Sequence, residues 1–365
     1  MFHSFSAVLL IACIVQTFGL SGTVNMNRNV IRLGTRGSPL ALVQANTVKQ
    51  MLESKYPTLT VQIKEIMTKG DSILNQALSE IGGKGLFVKE LDTALINNEV
   101  DICVHSMKDV PTVLYEGTVL PCTLPREVTN DVFISEKYNS LKDLPDNAVI
   151  GSASLRRKSQ LLKMNPTWKV INFRGNVQSR LRKLKNGDVD GTLLALAGLK
   201  RLNMYKLIEK SEIVPFQQIL PAIAQGAIGI QCRESDSDIV ELLHGFDNIE
   251  TSGAIHSERC FLAALDGNCR TPMGAQVRYV DDSTEATGAV SPRISFTGLV
   301  AKPDGSDLVK IAVEMPFESE ISQDNRAQFL HESGNLGTKI GHLVRNKLIG
   351  KEKYELYKES FGTGE

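Results

Sequence analysis

The stretch VIRLGTRGSPLALVQANTVKQMLESKY, residues 30–56, decides the fold class. Its first seven residues are a short β-branched and apolar run. A Gly-Ser-Pro turn follows, and then a longer run whose apolar residues recur at helical spacing. Ser38 stands where an N-cap belongs, and Pro39 sits at the first helical position, where a missing N–H is not needed. A strand therefore feeds a helix through a turn that holds Gly34, Arg36, Gly37 and Ser38. The same rhythm returns downstream: DICVHSM follows FVKELDTALINNEV, NAVIGSAS leads into LRRKSQLLKMN, WKVINFRG into NVQSRLRKLKNG, and VDGTLLALAG into LKRLNM. Such alternation predicts an α/β architecture built on mainly parallel sheets.

With 365 residues the chain is long enough for two or three domains. Two proline-bearing segments, VLPCTLPREVTND and VPFQQILPAIAQGAIGIQCRE, are the expected crossings between them. From Asp247 onward the pattern changes to a helix (SERCFLAAL), strands (QVRYV, RISFTGLVA), a hairpin turn (KPDGSD) and a terminal helix, a small α+β domain. The expected boundaries are 30–124 plus 225–242 for the first domain, 130–218 for the second and 247–365 for the third. Residues 1–29 differ in kind. FSAVLLIACIVQTFGLSG is apolar, falls short of the roughly 20 apolar residues of a membrane span, and precedes the first acidic residue, Glu53. It is expected to be a cleavable leader, either a signal peptide or a signal-plus-transit segment for an organelle.

Forty-one Lys and Arg balance forty-one Asp and Glu, so no overall field steers the chain toward nucleic acid or membrane. Six scattered cysteines lack metal-ligand spacing and predict neither a zinc site nor a disulfide framework. Charge is instead concentrated locally, with twelve Lys or Arg against two Asp between Gly151 and Tyr205. Three strand-to-helix turns carry Arg beside Gly or Ser: Arg36 with Ser38; Arg156 and Arg157 with Ser152 and Ser154; and Arg174 with Arg180. Free N–H groups at a helix start, joined to a guanidinium, make an anion site. Nucleic acid could use this excess through its phosphates, but aromatic residues for stacking are sparse here. A small molecule with several carboxylates fits better, because Arg presents planar, paired donors to a carboxylate. Lys158, Lys163, Arg182, Lys183 and Lys185 are expected on solvated helix faces.

Three further segments could carry chemistry. TKGDSILNQALSEIGGKGLF lacks the phosphate-loop pattern and suits an active-site lid or an ordinary surface loop. DICVHSMKDVP runs from core strand into Ser106, Lys108 and Asp109, where Asp109 is either a turn former or an acid and His105 is structural. Cys269, in the turn-rich LDGNCRTPMG beside Arg270, is placed to be a thiolate; a Cys–His hydrolase would need His244 or His256 as its base.

TRGSPLALVQA, GGKGLFVKEL, HSMKDVPT, SLRRKSQL, FRGNVQSRLRKL, LALAGLKRL, ILPAIAQGAIGI and GNCRTPMG occur in the order seen in the porphobilinogen deaminase family, which the chain resembles over residues 30–350. The resemblance implies two domains like type II periplasmic binding proteins, with mixed sheets, and a small α+β third domain carrying the cofactor. It implies head-to-tail condensation of four porphobilinogen molecules on a dipyrromethane primer held by a thioether to Cys269, with release of four ammonia and, by hydrolysis, hydroxymethylbilane. It makes Asp109 the catalytic acid–base group. Lys108, Ser106, Ser152, Ser154, Arg156, Arg157 and Arg174 would bind the cofactor, and Arg36, Ser38, Arg174, Arg180, Arg201, Phe87 and Gln225 the substrate. The implied partners are porphobilinogen, the growing polypyrrole chain and uroporphyrinogen-III synthase as recipient of the product. A monomer is expected, with no nucleic acid and no membrane after leader removal, in a plastid-type organelle or alternatively the cytoplasm. A non-catalytic solute-binding protein for a small polycarboxylate is the rival reading. The chain departs from the family at Asn268, where Gly is usual and where Asn would tolerate positive φ, at Ser152-Ala153-Ser154, and in YVDDSTEATGAVSPR, expected to be a surface insertion.

Overall fold

The computed structural model describes residues 28–72, 85–268, 271–281, 292–319 and 321–360. Residues 1–27 of the expected leader (1–29), the centre of the candidate lid (73–84), Cys269 with Arg270, and the core of the expected insertion (282–291) lie outside the described residues. In chain order the strands are β1 (Val30–Thr35), β2 (Thr60–Glu65), β3 (Ile102–Ser106), β4 (Thr118–Thr123), β5 (Asp131–Ile134), β6 (Val149–Gly151), β7 (Lys169–Ile171), β8 (Gly191–Ala195), β9 (Glu212–Val214), β10 (Ile228–Arg233), β11 (Met273–Asp281), β12 (Pro292–Ala301) and β13 (Leu308–Pro316).

The first sheet has the order β2-β1-β3-β10-β4, and the second β7-β6-β8-β5-β9. In the first, β1 runs parallel to β2 and β3, while β10 lies antiparallel between β3 and β4. In the second, β6 runs parallel to β7 and β8, and β5 lies antiparallel between β8 and β9. The sheets are therefore mixed, with one placement rule. In each, the antiparallel strand is the one that follows a crossing from the other sheet, since β5 comes after segment 124–130 and β10 after segment 215–227. These two sheet domains and a small third one are the architecture the family resemblance implied.

Burial explains why these strands are central. Every residue of β10 is buried, and its Ile228, Ile230 and Cys232 share a core with Val48 and Leu52 of helix Pro39–Lys55. That helix starts as its sequence predicts, with Ser38 Oγ accepting from Ala41 N and Pro39 at the first turn. The third domain is the antiparallel sheet β11-β12-β13 with helices Ile249–Ala264 and Arg326–Leu343. Phe261 meets Phe296, and Phe317 meets both Tyr279 and Phe329, edge to face, the arrangement the ring quadrupole favours.

The two crossings are laced together and pinned from the third domain. Arg126, in the first, donates through Nε to Gln225 O of the second at 2.9 Å. Glu258 of helix Ile249–Ala264 is fully buried and accepts from Arg126 Nη1 and Nη2 (2.6 and 3.0 Å), Ala224 N (2.7 Å) and Val277 N (2.8 Å). Ala224 sits at φ 59°, unusual for a residue with a Cβ, and its captured N–H helps hold it there. Among the described residues no helix is long and apolar enough to cross a membrane, and no cluster of three or more His, Cys, Asp or Glu could hold a metal.

Candidate active site

Parallel strands place the predicted polar residues at one end of each sheet. β1 ends at Thr35 and delivers Arg36, β3 delivers Ser106, Lys108 and Asp109, β6 delivers Ser152 and Ser154, and β7 leads to Arg174. Ligands of open α/β sheets bind at these carboxyl ends. Cross-domain contacts confirm that the ends converge, since Arg174 Nη2 of the second domain donates to Gly70 O of the first at 3.2 Å.

Asp109 closes a 3-10 turn, Met107–Asp109, in which Val110 N donates to Met107 O at 3.2 Å. Pro111 stops the turn from continuing. Arg36 Nη1 lies 3.7 Å from Asp109 Oδ2. The same guanidinium grips Asp71 with Nε and Nη2 and stacks 4.3 Å over the Phe87 ring. Gly70 makes room for that ring, because a Cβ there would stand 2.4 Å from it. Burial works against the Arg36 charge, but the hydrogen bonds to Asp71 and the charge of Asp109 outweigh it, and its pKa is raised.

Across the cleft, Ser154 caps helix Leu155–Met164, and Ser152 Oγ accepts from Ser154 N at 3.2 Å. Arg156 and Arg157 turn inward rather than standing free. Arg157 donates to both oxygens of Asp131 (2.9 and 2.7 Å) and to Leu193 O; Arg156 donates to Asp131 at 3.0 Å and to Leu220 O. Gln225 Nε2 completes the same carboxylate at 2.9 Å. Arg174 follows Phe173, whose ring lies where a Cβ on Gly151 would stand, 2.5 Å away. Arg180 keeps a buried Nε without a hydrogen-bond partner, as does Arg156.

Lys108 donates no hydrogen bond among the described residues, and burial draws it down to about 8 against the opposing charge of Asp109, with Arg157 adding to the fall. Arg180 is drawn down to about 10 by burial and by Arg157, again opposed by Asp109. Two cations discouraged by burial and by a third share the charge of Asp109, with Asp131 also favouring the Lys108 charge, and the site is short of anions. Carboxylates in a weakly screened cleft would restore the balance.

A cavity between the three domains is lined by Lys108, Ser154, Arg156, Arg259, Asn268 and Thr271. Asn268 and Thr271 flank Cys269 and Arg270 in sequence. Their turn is tied by Thr271 Oγ1 donating to Asn268 O at 2.7 Å, and among the described residues of this turn the non-glycine of positive φ is Asp266 (48°), so Asn268 does not draw on its tolerance of that region. The orphaned Nε of Arg156 and the unpaired Lys108 ammonium on this cavity fit an acidic group such as a carboxylate-bearing dipyrromethane. A larger cavity of about 500 Å³, lined by Arg28, Arg32, Arg233, Asp101 and Asp236, lies beside the opposite end of β1. Its charges already pair with each other.

Other predicted residues are placed differently. Ser38 and Ser106 are half-buried and already engaged, the first as a helix cap and the second bonded to Gln44 at 3.0 Å. Arg201 donates to Gly226 O at 2.7 Å, so it and Gln225 meet at the second crossing. Lys183, expected on a solvated face, instead reaches Arg174 O at 3.3 Å. His105 is buried, which draws it down to about 4 and keeps it neutral. His256 lies 3.8 Å from Cys260 Sγ. Sequence reasoning overlooked Asp131, Asp71, Glu258 and Arg259. Asp131 had one signal, an acid opening an otherwise apolar strand.

The model described as porphobilinogen deaminase, dipyromethane cofactor binding domain, matches residues 31–241, and that of the porphobilinogen deaminase C-terminal domain matches residues 253–328. The chain belongs to the porphobilinogen deaminase family. The chloroplastic porphobilinogen deaminase of Oryza sativa subsp. japonica is 49% identical over 83% of this chain and 83% of its own. That of Pisum sativum is 52% identical over 77% and 74%, and the porphobilinogen deaminase of Syntrophotalea carbinolica 43% identical over 80% and 89%. Among solved structures, an ancestral arginine-binding protein overlaps 60% of this chain and 90% of its own at 17% identity and a TM-score of 0.36, too distant to speak to ligand or activity. The activity is that of hydroxymethylbilane synthase, a transferase of tetrapyrrole biosynthesis, and its cofactor is dipyrromethane.

Proposed function

We propose that Asp109 is the acid–base group of this condensation and that the surrounding cations are its carboxylate-binding set. The observation that carries the reading is one carboxylate, partly open to the cleft and 3.7 Å from Arg36, whose charge acts on both Lys108 and Arg180, neither of which forms an ion pair among the described residues. Dipyrromethane, when attached through Cys269, would supply a pyrrole α-carbon as nucleophile. Arg36, Arg174 and Arg180 hold the acetate and propionate groups of incoming porphobilinogen, with Lys108 and the Arg156 Nε on the cofactor side. Asp109 passes a proton to the departing amine, so that the C–N bond breaks and ammonia leaves. Its carboxylate then faces the positive charge on the substrate's pyrrole while the new C–C bond forms, and receives the proton that the α-carbon sheds.

Asp109→Ala tests this. The variant is expected to keep the far-ultraviolet circular dichroism of the parent and to lose porphobilinogen consumption by at least a thousandfold. Retained turnover above a tenth of the parent rate would remove Asp109 from the mechanism. The three domains are assigned to 30–124 plus 225–242, 130–218 and 247–365. The chain acts as a monomer that hands its product to uroporphyrinogen-III synthase, in a plastid reached through its leader; the chloroplastic names of the plant relatives support that location.

A further inference from the structure

Helix Ile249–Ala264 belongs to the third domain, yet Arg259 on it reaches the segment that follows Asp109. Its Nη1 donates to Val110 O at 3.0 Å, and its Nη2 to Pro111 O and to Thr112 O, the last at 3.1 Å. Three consecutive carbonyls converging on one guanidinium is not a pattern that helix or strand provides. The apolar contacts point the same way, because Met107 and Val110, on either side of Lys108–Asp109, are buried in one core with Ala254, Ile255, Phe261 and Leu262. Arg259 also lines the cavity shared by Lys108, Asn268 and Thr271.

We infer that Arg259 is a positioning residue: it fixes the Asp109 turn to the domain that carries the cofactor cysteine, so the carboxylate keeps its place relative to the chain growing from that cysteine. The inference rests on the catalytic reading of Asp109. Displacement of a reacting group by about 1 Å costs about 100-fold in rate. Arg259→Gln offers two donors in place of the fork. It is expected to lower kcat by 10- to 100-fold while KM for porphobilinogen stays within about twofold and the dipyrromethane mass increment is retained. Arg259→Lys, a compact cation that can still reach carbonyls, is expected to recover part of the loss. On the Asp109→Glu background, Arg259→Gln should cost far less than on the parent, because residues acting through one group are not additive.

Any of four results overturns the inference: kcat within twofold of the parent, a kcat loss that merely tracks the cofactor-loaded fraction, an effect confined to KM, or additive losses with Asp109→Glu. If Arg259→Gln does not fold, Arg259→Lys is judged by the same criteria. An inactive Asp109→Ala beside an unimpaired Arg259→Gln refutes the role of Arg259 alone, whereas an active Asp109→Ala refutes the catalytic reading beneath it.

Discussion

Asp131→Asn is the most demanding test of how this cleft is held. Asp131 opens β5, is fully buried, and accepts four hydrogen bonds of 2.7 to 3.0 Å from Arg156, Arg157 and Gln225. Asparagine matches its volume but carries no charge and turns one oxygen into a donor. Whichever oxygen is replaced, two donors then face an NH2 group, and two buried guanidiniums lose their counter-ion. Breaking a buried ion pair from one side costs about 3–5 kcal/mol. The chain has a single tryptophan, Trp168, in the core of the same domain with Phe133 of β5, so its fluorescence reports the unfolding of that domain in urea. At a slope of about 2 kcal/mol/M the midpoint should fall by about 2 M. Burial alone would raise the Asp131 pKa, but the charges of Arg156 and Arg157 outweigh it and hold it far below the usual carboxylate range. A depressed carboxylate contributes stability that is fully present above its unfolded pKa of about 3.9 and is lost as pH falls through the folded value. The gap between parent and variant should therefore be flat above about pH 5 and close only in strong acid. A loss below about 1 kcal/mol would show that the arginines do not depend on this charge and would refute the reasoning.

Cys269→Ser is expected to lack the mass increment of two pyrrole rings; an intact increment would move the attachment to another cysteine. In that cofactor-free background the Lys108 ammonium titrates at about 8 instead of the ordinary 10.5. Between those values the unfolded chain binds the extra proton, so stability gains with rising pH, and the parent should gain on Lys108→Arg in urea midpoints from pH 8 to 10. Equal pH slopes would contradict the lowered Lys108 pKa. Glu258→Gln leaves Arg126 buried without its carboxylate and should cost about 3–5 kcal/mol in the same assay, with Glu258→Asp intermediate; a loss under about 1 kcal/mol would mean that the crossings hold without it.

Strands, helix starts and the residues at strand ends were legible because they depend on local pattern, as the Ser38 and Ser154 caps show. Sheet order was not, because β10 inserts between β3 and β4 from more than a hundred residues away and its own apolar run names no partner. The arginine-rich turns announced a cleft for carboxylates, but not which arginines already own one. Asp131 takes Arg156 and Arg157, and Asp71 takes Arg36, through contacts of 25, 26 and 35 residues' separation that no spacing rule encodes. Arg259 was hidden for a plainer reason, since backbone carbonyls carry no sequence signature.

The Glu258 pin also sets an order of events at birth. Arg126 precedes Glu258 by 132 residues, so at about 5–20 residues per second it is synthesised some 7–26 seconds before its partner. The first sheet is complete only once β10 (Ile228–Arg233) has been made, 25 residues before Glu258, so only in the last part of that interval can both sheets form while the crossings between them have no clasp. The nascent cleft is a loose jaw, its cations and apolar crossing segments open to whatever the cell offers. Folding of the helix that carries Glu258 ends that exposure, and the late third of the chain thereby decides when the early two thirds become an enzyme.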